Sequence, residues 1–235
     1  GAVARSVIVA AFNYYHPATS RLPIARYARA LDYHEVVRDR LRAVAEAITA
    51  ETGASCRVTV DTAPLRERYM AVKAGLGFVG LNNLLIIPGA GSYFFLGEII
   101  TDLELPPSQP CTMSCGDCGR CVERCPGRAL DGRGGIDARR CLSYLTIEYR
   151  GETLPVDSLP VLYGCDACQL ACPHNAAPPV TELPEFQPSE AVLTLTRADI
   201  AGMTQQEFSR IFRHSAVKRT KLSGLLRNLR YLVLT

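Results

Sequence analysis

The chain has 235 residues, 48% of them hydrophobic and 21% charged, and a formal net charge of +3. That length and composition bury a real core in one large or two small domains, and the near balance of charge excludes a polycation that holds nucleic acid through overall charge alone. No apolar run approaches the ~20 residues that cross a bilayer, and with no signal peptide at its start the chain is expected to be cytoplasmic rather than membrane-bound or secreted.

Residues 5–15 hold a continuous apolar run of strand length, the pattern of a core strand covered on both faces. A chain that opens on such a strand is expected to lack some preceding sequence. Asp32-Tyr33-His34-Glu35 then reads as a capping box. It opens an amphipathic helix whose Val37, Leu41, Val44, Ala45 and Ile48 repeat at helical spacing as far as Gly53. Arg57–Val60 reads as a short strand. Asp61 ends it, and Thr62-Ala63-Pro64 starts a further helix with proline near its first position. Asp61 thus sits at the carboxyl end of a strand, where ligands gather in open sheets. It is a candidate catalytic acid, although a helix cap is the commoner role for Asp at such a corner.

Residues 75–80 spell G-x-G-x-x-G, but they follow a helix and lead into Leu84–Ile87, the reverse of the strand-then-helix context that a dinucleotide site needs. They are read instead as a helix C-cap and a tight loop that lets backbone approach a flat ligand, with Asn82 and Asn83 as hydrogen-bond donors. A hairpin is expected next, turning at Pro88–Ser92 and returning over Tyr93–Thr101. Prolines 106, 107 and 110 mark a linker.

Ten cysteines occur, and eight of them carry a pattern. Cys115, Cys118, Cys121 and Cys125-Pro126 follow C-x2-C-x2-C-x3-C-P, in which three close thiolates grip one four-iron cluster and the cysteine before proline reaches to another. Cys165, Cys168 and Cys172-Pro173 repeat the end of that run, and Cys141 supplies the missing leading thiol. Crossed ligation follows. One [4Fe-4S] cluster takes Cys115, Cys118, Cys121 and Cys172, and the second takes Cys125, Cys141, Cys165 and Cys168. Zinc, the rival for paired C-x2-C motifs, explains neither Cys-Pro corner. Cys56 and Cys111 lie outside the pattern and are read as small buried apolar residues, Cys111 being close enough to compete as a ligand.

Asp137 is placed to cap a helix carrying Cys141, Ser143 and Glu148. A second proline-rich linker spans 178–188, and Thr204–Glu207 is another capping box. Beyond Glu207 no acidic residue occurs, while Arg210, Arg213, Lys218, Arg219, Lys221, Arg227 and Arg230 do. A solvated basic helix accounts for them, and so does a local footprint for RNA.

The phrases RYARALDYH (Arg26 to His34), VDTAPLRER (Val60 to Arg68), AGLGFVGLNNLLI, GSYFFLGEI, CGDCGRCVERCP, DARRCLSYLTIE, YGCDACQLACPHN and RHSAVKRTKLSGLLRN together span nearly the whole chain. In them it resembles the epoxyqueuosine reductases, cobalamin-dependent enzymes that complete queuosine at the tRNA wobble position. The resemblance implies an α+β fold in three parts. Residues 1–105 would be a nitroreductase-like cobalamin-binding domain without its N-terminal part, 106–180 a ferredoxin-like domain with two clusters, and 181–235 a helical basic tail. It places the proton donor on Asp61 and corrin contacts on Arg26, Asn82, Asn83, Ser143 and Asp166. It further implies tRNA contacts at Glu148, Arg213, Lys218, Arg219 and Lys221, a low-potential protein as electron donor, and a monomer. Family members commonly begin with about fifty further residues and continue into helical repeats. Rival readings are a reductive dehalogenase, an electron carrier, or an RNA-binding module without chemistry. A carrier leaves the long α/β stretch unexplained, and an exported dehalogenase carries a twin-arginine signal.

Overall fold

In the computed structural model, which describes residues 3–233, the apolar run near the start forms β1 (Ser6–Asn13). Asp32 then caps α1 (Tyr33–Thr52) by accepting from the His34 amide, and Gly53, at φ 72°, closes it in the left-handed conformation. Glu35 does not reach back to complete a capping box; its carboxylate meets His214 instead. β2 (Cys56–Thr59), a loop, and α2 (Glu67–Lys73) follow. β3 (Phe78–Val79) and β4 (Leu85–Ile86) pair with each other, and β5 (Phe94–Thr101) completes the strands.

The main sheet is antiparallel in the order β1-β5-β2. β1 is therefore an edge strand, half-buried along most of its length, and the central position expected of it belongs to β5. The reason lies in the partners. The run at 94–101 has a strand on each side, and its Phe95 and Ile99 are buried. The alternate residue between them is Gly97, where a Cβ would stand 2.6 Å from Leu41 and 2.7 Å from Val37. Its missing side chain lets α1 lie close on the sheet. There Val36, Val37, Leu41 and Ala45 are buried, at about 1.5–3 kcal/mol for each fully buried Val or Leu.

Two further expectations are corrected. No helix starts at Pro64; residues 61–66 are a loop and α2 begins at Glu67 with no side-chain cap. The 84–101 hairpin is reduced to one bridge, Ile87 to Gly91, because β4 pairs back onto the glycine-rich loop through β3 while β5 joins the main sheet.

The cysteine-rich stretch forms short helices, α3 (Arg120–Glu123), α4 (Leu142–Ile147) and α5 (Ala167–Leu170). Asp137 caps a single 3-10 turn before Cys141. The tail adds α6 (Glu190–Leu193), α7 (Arg197–Ala201), α8 (Gln205–Ile211) and α9 (Lys221–Tyr231), with complete capping boxes at Thr196/Asp199 and Thr204/Glu207. This tail is docked. Its Phe208, Phe212, Val217, Leu225 and Leu229 share one core with Leu22, Ile24, Leu162 and Tyr163. Arg227 takes no part in an exposed basic face. It is 5% exposed, and its guanidinium donates to the carbonyls of Leu145, Tyr149 and Gly151 and to the Asn228 side chain. Bound this way, it ties α9 to the end of α4. Among the described residues no helix is long and apolar enough to cross a membrane.

Candidate active site

The site is built where the carboxyl end of β2, the start of α1 and the α4 segment face each other across a cavity of about 860 Å3. That is at the upper end of the range for small-molecule sites. Tyr14, Tyr27, Tyr33, Phe94, Phe95, Tyr144 and Tyr163 give it aromatic walls, while Asp61, His34, Glu67, Arg68, Glu148, Lys218 and Arg219 bring charge. Tyr33 and Phe95 stack with ring centroids 4.3 Å apart. The broad apolar surface they form suits a flat organic ligand.

Asp61 stands at the wall of this cavity with φ 53°, a backbone state that β-substituted residues adopt at a cost. Three contacts hold it there. The Tyr33 hydroxyl donates to Asp61 Oδ2 at 2.9 Å, His34 Nε2 lies 3.0 Å from the same oxygen, and the Asp61 amide donates to Glu67 Oε1 at 2.6 Å. His34 Nδ1 in turn lies 2.7 Å from Asp32 Oδ1. A neutral imidazole has one N–H and one bare nitrogen, so it would set a lone pair against one of the two carboxylates. Asp32, His34 and Asp61 together therefore hold two protons, one in each ring contact.

The electrostatics agree with this count. The hydrogen bond to Asp32, then that to Asp61, pushes His34 up to about 9. The hydrogen bond from His34 holds the Asp61 carboxyl below the usual carboxylate range, against its own partial burial. Burial lifts Glu67. It lifts Glu98 further, to about 7. Glu98 is fully buried in β5, with Oε2 accepting from Thr59 Oγ1 at 3.0 Å and Oε1 without a partner.

Four of the eight patterned cysteines share one cavity. Cys115, Cys118, Cys121 and Cys172 line one small cavity together with Asn82, Ile86 and His174. Burial first, then Cys141, Asp166 and Cys125, pushes Cys165 up to about 11, and burial with Cys165, Cys141, Cys121 and Cys125 pushes Cys168 up to about 12. Buried thiols with raised values ionise on binding a metal centre, and four thiols on one cavity are the donor set that a four-iron cluster takes. Among the described residues no three His, Cys, Asp or Glu side chains close around a point as a single metal ion needs. Cys111 packs beside Cys115 and Cys172 without lining their cavity, and Cys56 packs under α1.

Of the other expected site residues, Ser143, Glu148, Lys218 and Arg219 line the large cavity with Asp61. Arg219 is clamped by Glu148, whose carboxylate accepts from it at 2.8 and 3.0 Å. Arg26 and Asp166 lie behind the wall; the Arg26 amide donates to Asp166 Oδ2 at 2.8 Å and its guanidinium covers the Tyr15 ring. Asn82 faces the Cys115 cavity, and Asn83 is held by Arg68 through both its carbonyl and its side chain. The close approach that the glycine loop permits is to the protein itself: a Cβ on Gly77 would collide with the Ile86 carbonyl, and one on Gly80 would lie 2.5 Å from Ile86 Cδ1, 2.7 Å from Asn82 Oδ1 and 3.3 Å from Cys115 Sγ. Arg213 is exposed, and Lys221 lines a separate groove with Arg150 and Arg230. Sequence reasoning missed His34, Tyr33 and Glu67. Asp32-Tyr33-His34 at a helix start carries the signal, read there only as a cap.

Comparison with known proteins decides the family. A family model described as "Epoxyqueuosine reductase QueG, DUF1730" matches residues 2–62, and one for a 4Fe-4S double cluster binding domain matches residues 114–175. An epoxyqueuosine reductase of Cyclobacterium marinum is 40% identical over 239 residues, covering 97% of this chain and 76% of its own length. The chain belongs to the epoxyqueuosine reductase family. One from Xanthomonas campestris is 42% identical over 214 residues, and the chain spans 60% of that relative's length. The solved epoxyqueuosine reductase of Streptococcus thermophilus superposes with a TM-score of 0.85 at 33% identity, over 95% of this chain and 62% of that one. A family structure with an epoxyqueuosine-modified tRNA-Tyr stem loop superposes at 0.86 with 29% identity. A B12-dependent reductive dehalogenase, 16% identical with a TM-score of 0.51, shares the fold alone.

Proposed function

We propose that this chain reduces epoxyqueuosine to queuosine at the wobble position of tRNA, in the cytoplasm and as a monomer, with electrons from a low-potential protein donor. Removing the epoxide oxygen as water and leaving an alkene takes two electrons and two protons. When bound, the two clusters supply single electrons and a cobalamin supplies a nucleophilic reduced cobalt toward the epoxide-bearing ring. Residues 1–105, nitroreductase-like in plan, carry the corrin and acid side; 106–180 carry the clusters; 181–235 carry RNA contacts.

One cluster takes Cys115, Cys118, Cys121 and Cys172, and the other Cys125, Cys141, Cys165 and Cys168. The aromatic cavity takes the corrin, with Ser143 at its edge two residues from Cys141, and Arg26 and Asp166 bracing the wall behind. Asp61 protonates the departing oxygen, since an alkoxide leaves poorly at neutral pH. It does so as one half of a pair, because His34 holds the proton that Asp61 passes on. Lys218, Arg219 and Glu148 border the cavity mouth where the modified base enters, and Arg213 and Lys221 meet the tRNA backbone.

The observation that carries this reading is the proton-holding Asp32–His34–Asp61 group on the wall of a cavity that also reaches the residues following Cys141. Titrating the cluster-loaded chain with cobalamin and following its absorption tests it. One cobalamin per chain is expected, with uptake lost on Ser143→Trp, which fills the cavity edge. A chain that takes up iron but no cobalamin contradicts the proposal.

A further inference from the structure

Asn82 is 4% exposed and lines the cavity walled by Cys115, Cys118, Cys121 and Cys172. Its Oδ1 accepts from the Leu84 amide at 3.2 Å, which fixes how the amide is turned. Its Nδ2 is buried and has no hydrogen-bond partner among the described residues. A buried N–H pair without an acceptor costs about 1–3 kcal/mol, and one that lines a cofactor cavity calls for an acceptor from what the cavity holds. The neighbouring Leu81 amide already donates to Cys115 Sγ at 3.3 Å, so this loop directs one N–H at the thiol set.

We propose that Asn82 donates a hydrogen bond to the sulfur of the cluster held by the Cys115 set and thereby raises that cluster's reduction potential. The inference rests on the ligand sets proposed above. The physical step is simple: reduction adds one electron from the donor protein to the cluster, making it more negative, and an N–H dipole aimed at sulfur favours the more negative state. The same residue that the family resemblance assigns to the corrin is on this reading a cluster-tuning residue.

The test is an EPR-monitored redox titration of the anaerobically reconstituted chain and of Asn82→Leu, which keeps the bulk and removes both donors. Cys118→Ala first identifies which signal belongs to the Cys115 set; wild-type protein with iron for only one cluster would overturn the ligand sets themselves, separately from this proposal. The expected result is a reduction equilibrium of that cluster about tenfold less favourable in Asn82→Leu, about 59 mV for a one-electron couple, with the Cys125-set cluster unmoved. No change, or an equal change in both clusters, overturns the assignment. If Asn82→Leu fails to assemble, wild-type protein labelled with 15N-asparagine decides. A nitrogen coupling to the reduced Cys115-set cluster supports the bond, and its absence overturns it. Asn83 and Asn175 do not confuse that reading, because Asn83 does not line the Cys115 cavity and the Asn175 Nδ2 already donates to Ser92 Oγ and the Gln169 carbonyl.

Discussion

Replacing Asp61 by Asn keeps the shape of the side chain and removes one of the two acceptors that hold His34 in its charged form. His34 is raised from 6.5 to about 9, a shift of about 2.5 units, and at 1.36 kcal/mol per unit that is about 3 kcal/mol of preference for the imidazolium. Asp32 lies closer, at 2.7 Å against 3.0 Å, and the Asp61 side chain is 52% exposed, so solvent screening discounts its share. Asp61→Asn should therefore lower the His34 pKa by about one unit, read by NMR titration of its ring protons. The sign for stability follows. A histidine with a raised folded value stabilises fully below its unfolded pKa, and that contribution fades as pH rises through about 9. Wild-type stability and turnover should both fall across that upper limb, and Asp61→Asn should lose turnover at least about a hundredfold at neutral pH while keeping iron and tRNA binding. A wild-type His34 titrating near 6.5, or one unmoved in Asp61→Asn, would refute the shared-proton reasoning.

Cys125→Ala should cost the cluster of Cys141, Cys165 and Cys168 and leave the Cys115 set's EPR signal; the reverse pattern contradicts crossed ligation. Lys218→Gln with Lys221→Gln should weaken tRNA binding and flatten its salt dependence by about 0.7–0.9 in slope for each phosphate no longer neutralised, and an unchanged slope counts against the tail as an RNA-binding surface. Glu98, raised by burial to about 7, makes folding less favourable as pH rises from about 4.5 to 7, because the folded state keeps a proton that the unfolded chain releases. Glu98→Gln should therefore flatten the pH dependence of urea unfolding in that window, and an unaltered profile argues that Glu98 ionises normally.

Local chemistry made part of this molecule legible in the sequence. The cysteine spacing proposes which thiols gather, because ligation patterns are written in short intervals along the chain, and Cys115, Cys118, Cys121 and Cys172 do line one cavity. Asp32 and Thr204 cap helices, and Gly53 ends one, for equally local reasons. What escaped depends on residues far apart. β5 is central because β1 and β2 both choose it, a tertiary decision that an apolar run at either place leaves open. Arg227 reads as one more basic residue of the tail until the carbonyls of Leu145, Tyr149 and Gly151 converge on it. Asp61 at the end of a strand resembles a helix cap, and only the arrival of Tyr33 and His34 from another element places it in a hydrogen-bond network. Asn82 belongs to a loop whose thiol neighbour lies 33 residues on in sequence.

The most direct measurement is queuosine itself. The chain is loaded anaerobically with iron, sulfide and cobalamin, given a low-potential reductant and epoxyqueuosine-containing tRNA, and its nucleosides are read by mass spectrometry. Queuosine appearing only when both iron and cobalamin are bound, and falling at least about a hundredfold with Asp61→Asn, is the predicted result. Fully loaded protein that binds the tRNA and leaves epoxyqueuosine unchanged would contradict it.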